Sequence, residues 1–159
     1  MKISIIAVGK IKEKFMKEAI KEFQKRLSRY CKLNIIELDD EKAPEKLSQK
    51  DMDIIKDKEG QRILSKIDES SYIITLEIKG KNPTSDELAE KLENIMVEGN
   101  NHITFIIGGS LGLSKEVLSR SNYRLSFSKM TFPHQLMRLI LLEQIYRSFR
   151  IIKNEPYHK

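Results

Sequence analysis

The chain has 159 residues, of which 40% are hydrophobic and 33% are charged, and its formal net charge is +6. This composition excludes a disordered chain, and Cys31 as the only cysteine excludes an internal disulfide. No apolar run approaches the roughly 20 residues that cross a membrane, so we expect one cytoplasmic domain over residues 1–159.

The positive charge is concentrated at the two ends of the chain. Residues 1–30 and residues 114–159 each carry a net charge of +6, whereas residues 31–113 carry −6. If the two ends fold together, they form one basic face that attracts phosphates without sequence preference. Lys-rich helices that are merely solvated explain the charge equally well.

Apolar runs rich in β-branched residues alternate with helical patterns along the chain. The periodicity predicts a helix over 15–30, further helices over 51–67 and 86–98, and a long last helix over 133–153. Thr84 and Glu87 have the spacing of a capping box at the start of the third helix. This alternation predicts an α/β fold, with a parallel-rich sheet covered by helices on both faces. The predicted strands are Ile3–Val8, Leu33–Leu38, Tyr72–Ile78, His102–Ile107 and Arg124–Phe127.

The last helix is apolar nearly all round. A helix of this kind must be buried on most of its sides, and a domain this small offers little room for a fully internal helix. We therefore expect a second subunit to cover it in a homodimer, with an internal helix as the alternative. Its apolar residues are Leu136, Met137, Leu139, Ile140, Leu141, Leu142, Ile145, Tyr146, Phe149, Ile151 and Ile152.

A glycine-rich segment, FIIGGSLGL, follows the fourth predicted strand. Gly108, Gly109 and Gly112 allow a ligand to approach the backbone beyond the carboxyl end of that strand. The segment is neither GxGxxG nor a phosphate-binding P-loop. It matches GxSxG with Ser110 as nucleophile, but no Asp follows Gly112, so a serine hydrolase is a weaker reading than a ligand loop. A plain connecting turn is a further alternative.

A second candidate ligand loop, SFSKMTFPHQLMR, leads into the last helix. Backbone amides at a helix start are free to meet a ligand, and His134 lies in this first turn, where it could accept a proton or a hydrogen bond. Local packing of the ring is the alternative. The three histidines lack metal-ligand spacing, and a solvated loop explains Asp39–Glu41 best, so no metal is expected.

Taken together, five collinear stretches resemble the RlmH family of SPOUT-class RNA methyltransferases. Four of them are AVGKIKEKF at 7–15, KEGQRIL at 58–64, ITLEIKGK at 74–81 and FIIGGSLGL at 105–113. The fifth and most specific runs from Leu125 to Lys159. The resemblance covers essentially the whole chain.

The resemblance implies a C-terminal trefoil knot, an obligate homodimer and S-adenosylmethionine as cofactor. It also implies methylation of N3 of a pseudouridine in the helix 69 loop of 23S ribosomal RNA, on the assembled ribosome. The C-terminal Tyr157, His158 and Lys159 would reach into the partner subunit's pocket. The implied cofactor residues are Leu76, Gly108, Phe127, Ser128, Lys129, Met130, Thr131 and Phe132.

The residue inventory suits this chemistry. His158 or His134 could take the proton that leaves N3, and Tyr157 could stack on the target base. Arg138 and Lys129 could hold phosphate or the cofactor's carboxylate. The alternatives are a non-catalytic ribosome-binding module and a small serine hydrolase that uses Ser110.

Overall fold

The computed structural model describes residues 1–159, and strands alternate strictly with helices along it. The five strands are β1 (Lys2–Val8), β2 (Lys32–Leu38), β3 (Tyr72–Lys81), β4 (His102–Ile107) and β5 (Tyr123–Leu125). The five helices are α1 (Lys14–Leu27), α2 (Gln49–Leu64), α3 (Ser85–Val97), α4 (Lys115–Ser119) and α5 (His134–Ile152). No helix is long and apolar enough to cross a membrane.

Capping boxes set where two of the helices begin. The predicted capping box of Thr84 and Glu87 is present at α3. A second box, between Ser48 and Asp51, begins α2 at Gln49, two residues before the predicted start. Because an Asp rather than a Glu closes this box, the usual capping-box pattern in the sequence does not reveal it.

All five strands form one parallel sheet in the order β2-β1-β4-β3-β5. The larger core lies between the sheet and helices α1, α3 and α5, and the smaller core lies beneath α2 and α4. The predicted parallel sheet with helices on both faces is therefore confirmed. The trefoil knot stays a prediction.

Helix α5 is half internal. Leu142 and its neighbours on one side of the helix are completely buried in the larger core of a single chain. Leu136, Leu139 and Ile140 remain partly exposed, although Leu136 and Leu139 also pack against the larger core, and Phe15 of the adjacent α1 is 66% exposed. Neither alternative from the sequence describes α5 fully, and the homodimer stays a prediction.

The last strand is shorter than predicted. It ends at Leu125, two residues before the expected end at Phe127, because the chain turns away after Ser126. The amide of Ser126 donates to the carbonyl of Lys81, and Asn82 Nδ2 donates to the carbonyl of Ser126 at 2.8 Å. The extended end of β3 thus holds the beginning of the loop that leads to α5.

Candidate active site

A cleft of about 920 Å³ opens at the carboxyl ends of β3, β4 and β5. This edge is where open parallel sheets bind their ligands. Three chain segments supply most of its wall, namely 76–79, 107–113 and 125–134. Both loops that the sequence analysis selected therefore meet in one site, and a ligand of drug-like size fits its volume.

The glycine loop between β4 and α4 is shaped by close contacts and by backbone conformation. A Cβ at Gly108 would lie 2.9 Å from the carbonyl carbon of Gly112, which is too close for any side chain. Gly112 itself has a φ of +87°, and nothing lies within 4 Å of the place its Cβ would take. The loop thus keeps open space in the cleft, where a cofactor could lie against bare backbone.

The second loop, residues 126–133, is held by its own serines. Ser126 Oγ donates to the carbonyl of Ser128 at 3.0 Å, and the amide of Met130 donates to Ser128 Oγ at 2.9 Å.

Seven of the eight predicted cofactor residues line the cleft, whereas Lys129 is exposed and does not. The seven are Leu76, Gly108, Phe127, Ser128, Met130, Thr131 and Phe132.

Apolar walls with bare backbone between them suit a nucleoside cofactor such as S-adenosylmethionine. Leu76, Ile107 and Phe132 offer flat apolar surface for a base, and the glycine loop offers backbone donors and acceptors. Lys79 and Lys115 lie on the wall and are exposed, so they could meet a carboxylate or a phosphate.

Of the predicted catalytic residues, only His134 lines the cleft. Arg138, one turn later on α5, is 2% exposed and faces away from it. Its guanidinium donates to Glu37 Oε2 at 2.6 Å and to the carbonyl of Gly9 at 2.9 Å. Partial burial alone would raise the pKa of Glu37, but the Ile11 amide and the Arg138 guanidinium hold it below its ordinary value.

The C-terminal tail folds back on its own α5. Tyr157 Oη donates to Glu143 Oε1 at 3.0 Å, and His158 Nε2 lies 3.2 Å from Asp86 Oδ2. Burial and the bond to Glu143 raise the pKa of the Tyr157 phenol. Because Glu143 lies nine residues after His134, the two are about 14 Å apart along the helix axis. In a single chain the tail and the cleft are therefore separate.

The structure does not support the serine hydrolase. Ser110 is exposed and has no hydrogen bond to a histidine. A Ser–His–Asp row exists elsewhere, at the amino ends of the strands, where Ser4 Oγ lies 2.8 Å from His102 Nε2 and Asp68 Oδ2 lies 3.4 Å from Nδ1. Ser4 is only 5% exposed, so this row is closed to a substrate.

No group of three His, Cys, Asp or Glu side chains could hold a metal ion.

A family model described as predicted SPOUT methyltransferase matches residues 1–158. The chain belongs to the SPOUT methyltransferase family. Three relatives are each named ribosomal RNA large subunit methyltransferase H and align over the whole of both chains. They come from Clostridioides difficile strain 630, Finegoldia magna and Clostridium botulinum strain Langeland, at 67%, 65% and 64% identity. The resemblance seen in the sequence is thereby confirmed.

Among solved structures, a tRNA methyltransferase from Aquifex aeolicus resembles this SPOUT chain over 92% of its length and 70% of that chain. The TM-score is 0.49 and the identity is 11%.

Sequence reasoning missed several residues around the site of this SPOUT methyltransferase. Glu37 and Gly9 surround Arg138, while Glu143 and Asp86 hold the tail. Only Gly9 left a signal in the sequence, because a glycine directly after a buried strand often marks a special backbone conformation. The other three are ordinary acidic residues on a strand or a helix.

Proposed function

We propose that this SPOUT methyltransferase transfers a methyl group from S-adenosylmethionine to N3 of a pseudouridine in the helix 69 loop of 23S ribosomal RNA. The observation that carries the proposal is the cleft in which the glycine loop and the 126–133 loop meet. The shared name of relatives that match the whole chain supports ribosomal RNA as the substrate. The enzyme would act in the cytoplasm, as a homodimer, on the assembled ribosome.

S-adenosylmethionine would supply a methyl group already activated by its sulfonium, so the protein has to align the reactants more than activate them. Leu76, Gly108 and the 127–132 loop would hold the cofactor. The proton on N3 must leave as the new bond forms. His134 lines the same cleft and would accept that proton directly or through a water molecule.

A second subunit would complete the site. Tyr157 and His158 lie at least two turns of α5 away from His134 of their own chain, so a tail that touches the target base has to come from a partner. A two-fold interface could use the apolar surface of the partly exposed Leu136, Leu139 and Ile140 together with the exposed Phe15 of the adjacent α1. Tyr157 of the partner would then stack on the base.

Cofactor binding is tested by calorimetry with a matched pair of glycine variants. Gly112 and Gly99 both have positive φ, +87° and +93°, and neither has another atom within 4 Å of the position that a Cβ would take. They differ in that only Gly112 lies in the cleft. Substitution by Ala therefore adds similar backbone strain, about 1–2 kcal/mol, at each site. We expect Gly112→Ala to weaken S-adenosylmethionine binding about tenfold, which corresponds to about 1.4 kcal/mol, and Gly99→Ala to leave it unchanged.

Methyl transfer is tested with radiolabelled cofactor and purified ribosomes. Label in 23S RNA at N3 of a pseudouridine is the expected result, with unrelated single-stranded RNA left unlabelled. Ribosome binding without label would favour the non-catalytic module, and equal labelling of unrelated RNA would contradict the ribosomal substrate. Absence of cofactor binding by the wild-type protein would overturn the proposal.

A further inference from the structure

A polar network, buried at Arg138 and open to solvent at Glu37, connects the turn after β1 with the start of α5. Arg138 donates to the carbonyl of Gly9 at 2.9 Å and to Glu37 Oε2 at 2.6 Å. The same oxygen of Glu37 accepts the amide of Ile11 at 2.9 Å, and the amide of Gly9 donates to the carbonyl of Leu38 at 2.7 Å. The turn over residues 9–11 is therefore held at both of its ends.

This turn lies against the ring of His134. A Cβ built on Gly9 would be 3.1 Å from His134 Nε2, so the imidazole packs directly on the bare backbone of Gly9. Gly9 has a φ of +95°, which a residue with a side chain rarely adopts. One side of the His134 ring thus meets the turn while the residue also lines the cofactor cleft.

The network is an expensive way to obtain stability alone. Arg138 is 2% exposed, and its Nε has no hydrogen-bond partner in the buried interior. The desolvation of Arg138 is only partly offset by its ion pair with Glu37, because the Glu37 side chain is 38% exposed and solvent weakens the attraction. Arg138 joins two segments beside the cleft. A role in fixing the positions of these segments explains its burial better than a role in stability alone.

We propose that Arg138 is a positioning residue which, together with Glu37, fixes the turn over residues 9–11 and thereby sets the place of the His134 ring in the cleft. Arg138 touches neither the cofactor nor the RNA, contrary to the anion contact expected from the sequence. The inference rests on the proposed function, in which His134 faces the base that receives the methyl group. It also gives a role to the segment AVGK at residues 7–10, which takes no direct part in the proposed reaction.

The test uses the full chain and two independent readouts. The variants are Arg138→Met, Arg138→Lys and Glu37→Gln. The control is Arg120→Met, which removes an exposed ion pair with Glu69. The first readout is steady-state methyl transfer to ribosomes, with kcat separated from the KM for S-adenosylmethionine. The second is the ¹³Cε1–¹H resonance of His134, which is resolvable because the chain has only three histidines.

We expect Arg138→Met to lower kcat by about 10²-fold, the loss typical of a catalytic group displaced by about 1 Å, with the KM for the cofactor unchanged. The His134 resonance should move in the same variant. Arg138→Lys can keep one of the two bonds and should lie between wild type and Arg138→Met. Glu37→Gln is conservative in size and should also shift the His134 resonance. It therefore tests the inference even if Arg138→Met fails to fold. Arg120→Met should change neither readout.

Two results would overturn the inference. One is full kcat in both Arg138→Met and Glu37→Gln, and the other is a lowered kcat with the His134 resonance unmoved, which would make Arg138 purely structural. A wild-type enzyme that transfers no methyl group would instead refute the proposed function. In that case the resonance alone still decides whether Arg138 positions His134.

Discussion

Removal of residues 154–159 separates cofactor binding from methyl transfer. No residue of this tail lines the cleft, so the deletion should leave the affinity for S-adenosylmethionine intact. If the tail of one subunit closes the site of the other and orients the target base, methyl transfer should fall by about 10²-fold, the loss typical of reacting groups displaced by about 1 Å. Because His134 is the proposed proton acceptor, His158→Ala should cost clearly less than the deletion. A loss as large as that of the deletion or larger, up to roughly 10⁴-fold, would make His158 the proton acceptor instead.

The structure also gives the expected cost in stability. The deletion removes the Tyr157 hydrogen bond to the partly buried Glu143, about 1 kcal/mol, and its edge-to-face contact with Tyr146 at 4.9 Å between centroids, about another 1 kcal/mol. It also removes the hydrogen bonds that Glu155 accepts from Tyr30 and Arg150, so these two terms are a lower bound. A loss of about 2 kcal/mol alone lowers the melting temperature of a domain of this size by about 4–8 °C, so the deletion should lower it by at least that much. A melting curve of the shortened chain checks that it is folded at 25 °C, where activity is measured.

Mixed dimers decide whether the tail acts within its own subunit or across the interface. One subunit lacks residues 154–159, and the other carries Gly108→Val, whose Cβ would meet Gly112 at 2.9 Å and block the pocket. If the tail acts across the interface, the mixed dimer joins one intact tail to one intact cleft and regains about one working site. If no activity returns while both parent dimers still form, the shared site is wrong.

Two further predictions follow from exposed and buried side chains. Ile140→Lys should give a folded monomer by light scattering while Val97→Lys, on a 79% exposed residue, stays dimeric; a dimeric Ile140→Lys would contradict the interface. Leu142 is unsuitable for this test because it is buried within its own chain. Burial raises the pKa of Glu59, so the stability linked to its neutral form is lost as pH rises through that pKa. Glu59→Gln should therefore gain melting temperature relative to wild type as the pH rises above the ordinary pKa of a glutamate, and a difference that is the same below and above that pKa would refute this.

The sequence alone predicted the elements whose signals are local. Strands β1 and β4 end at Val8 and Ile107 as predicted, because buried parallel strands read as continuous β-branched runs. The edge strand β2 also ends at Leu38 as predicted. The Thr84 capping box spans only four residues and was equally readable. Both ligand loops were recognised because glycines and helix starts leave backbone groups free, although only the sheet order brings the two loops together.

The tertiary structure alone decided what the charged side chains do. Arg138 looked like an anion ligand beside a ligand loop, but it is buried against Glu37, which lies 101 residues away in the chain. His158 meets Asp86 across 72 residues, although a polar C-terminal tail is expected to fray. Periodicity records which face of an element is apolar, and it carries no information on which distant segment covers a charge. The partner of a charge depends on how the elements pack, since burial makes an unpaired charge far more costly than an exposed one.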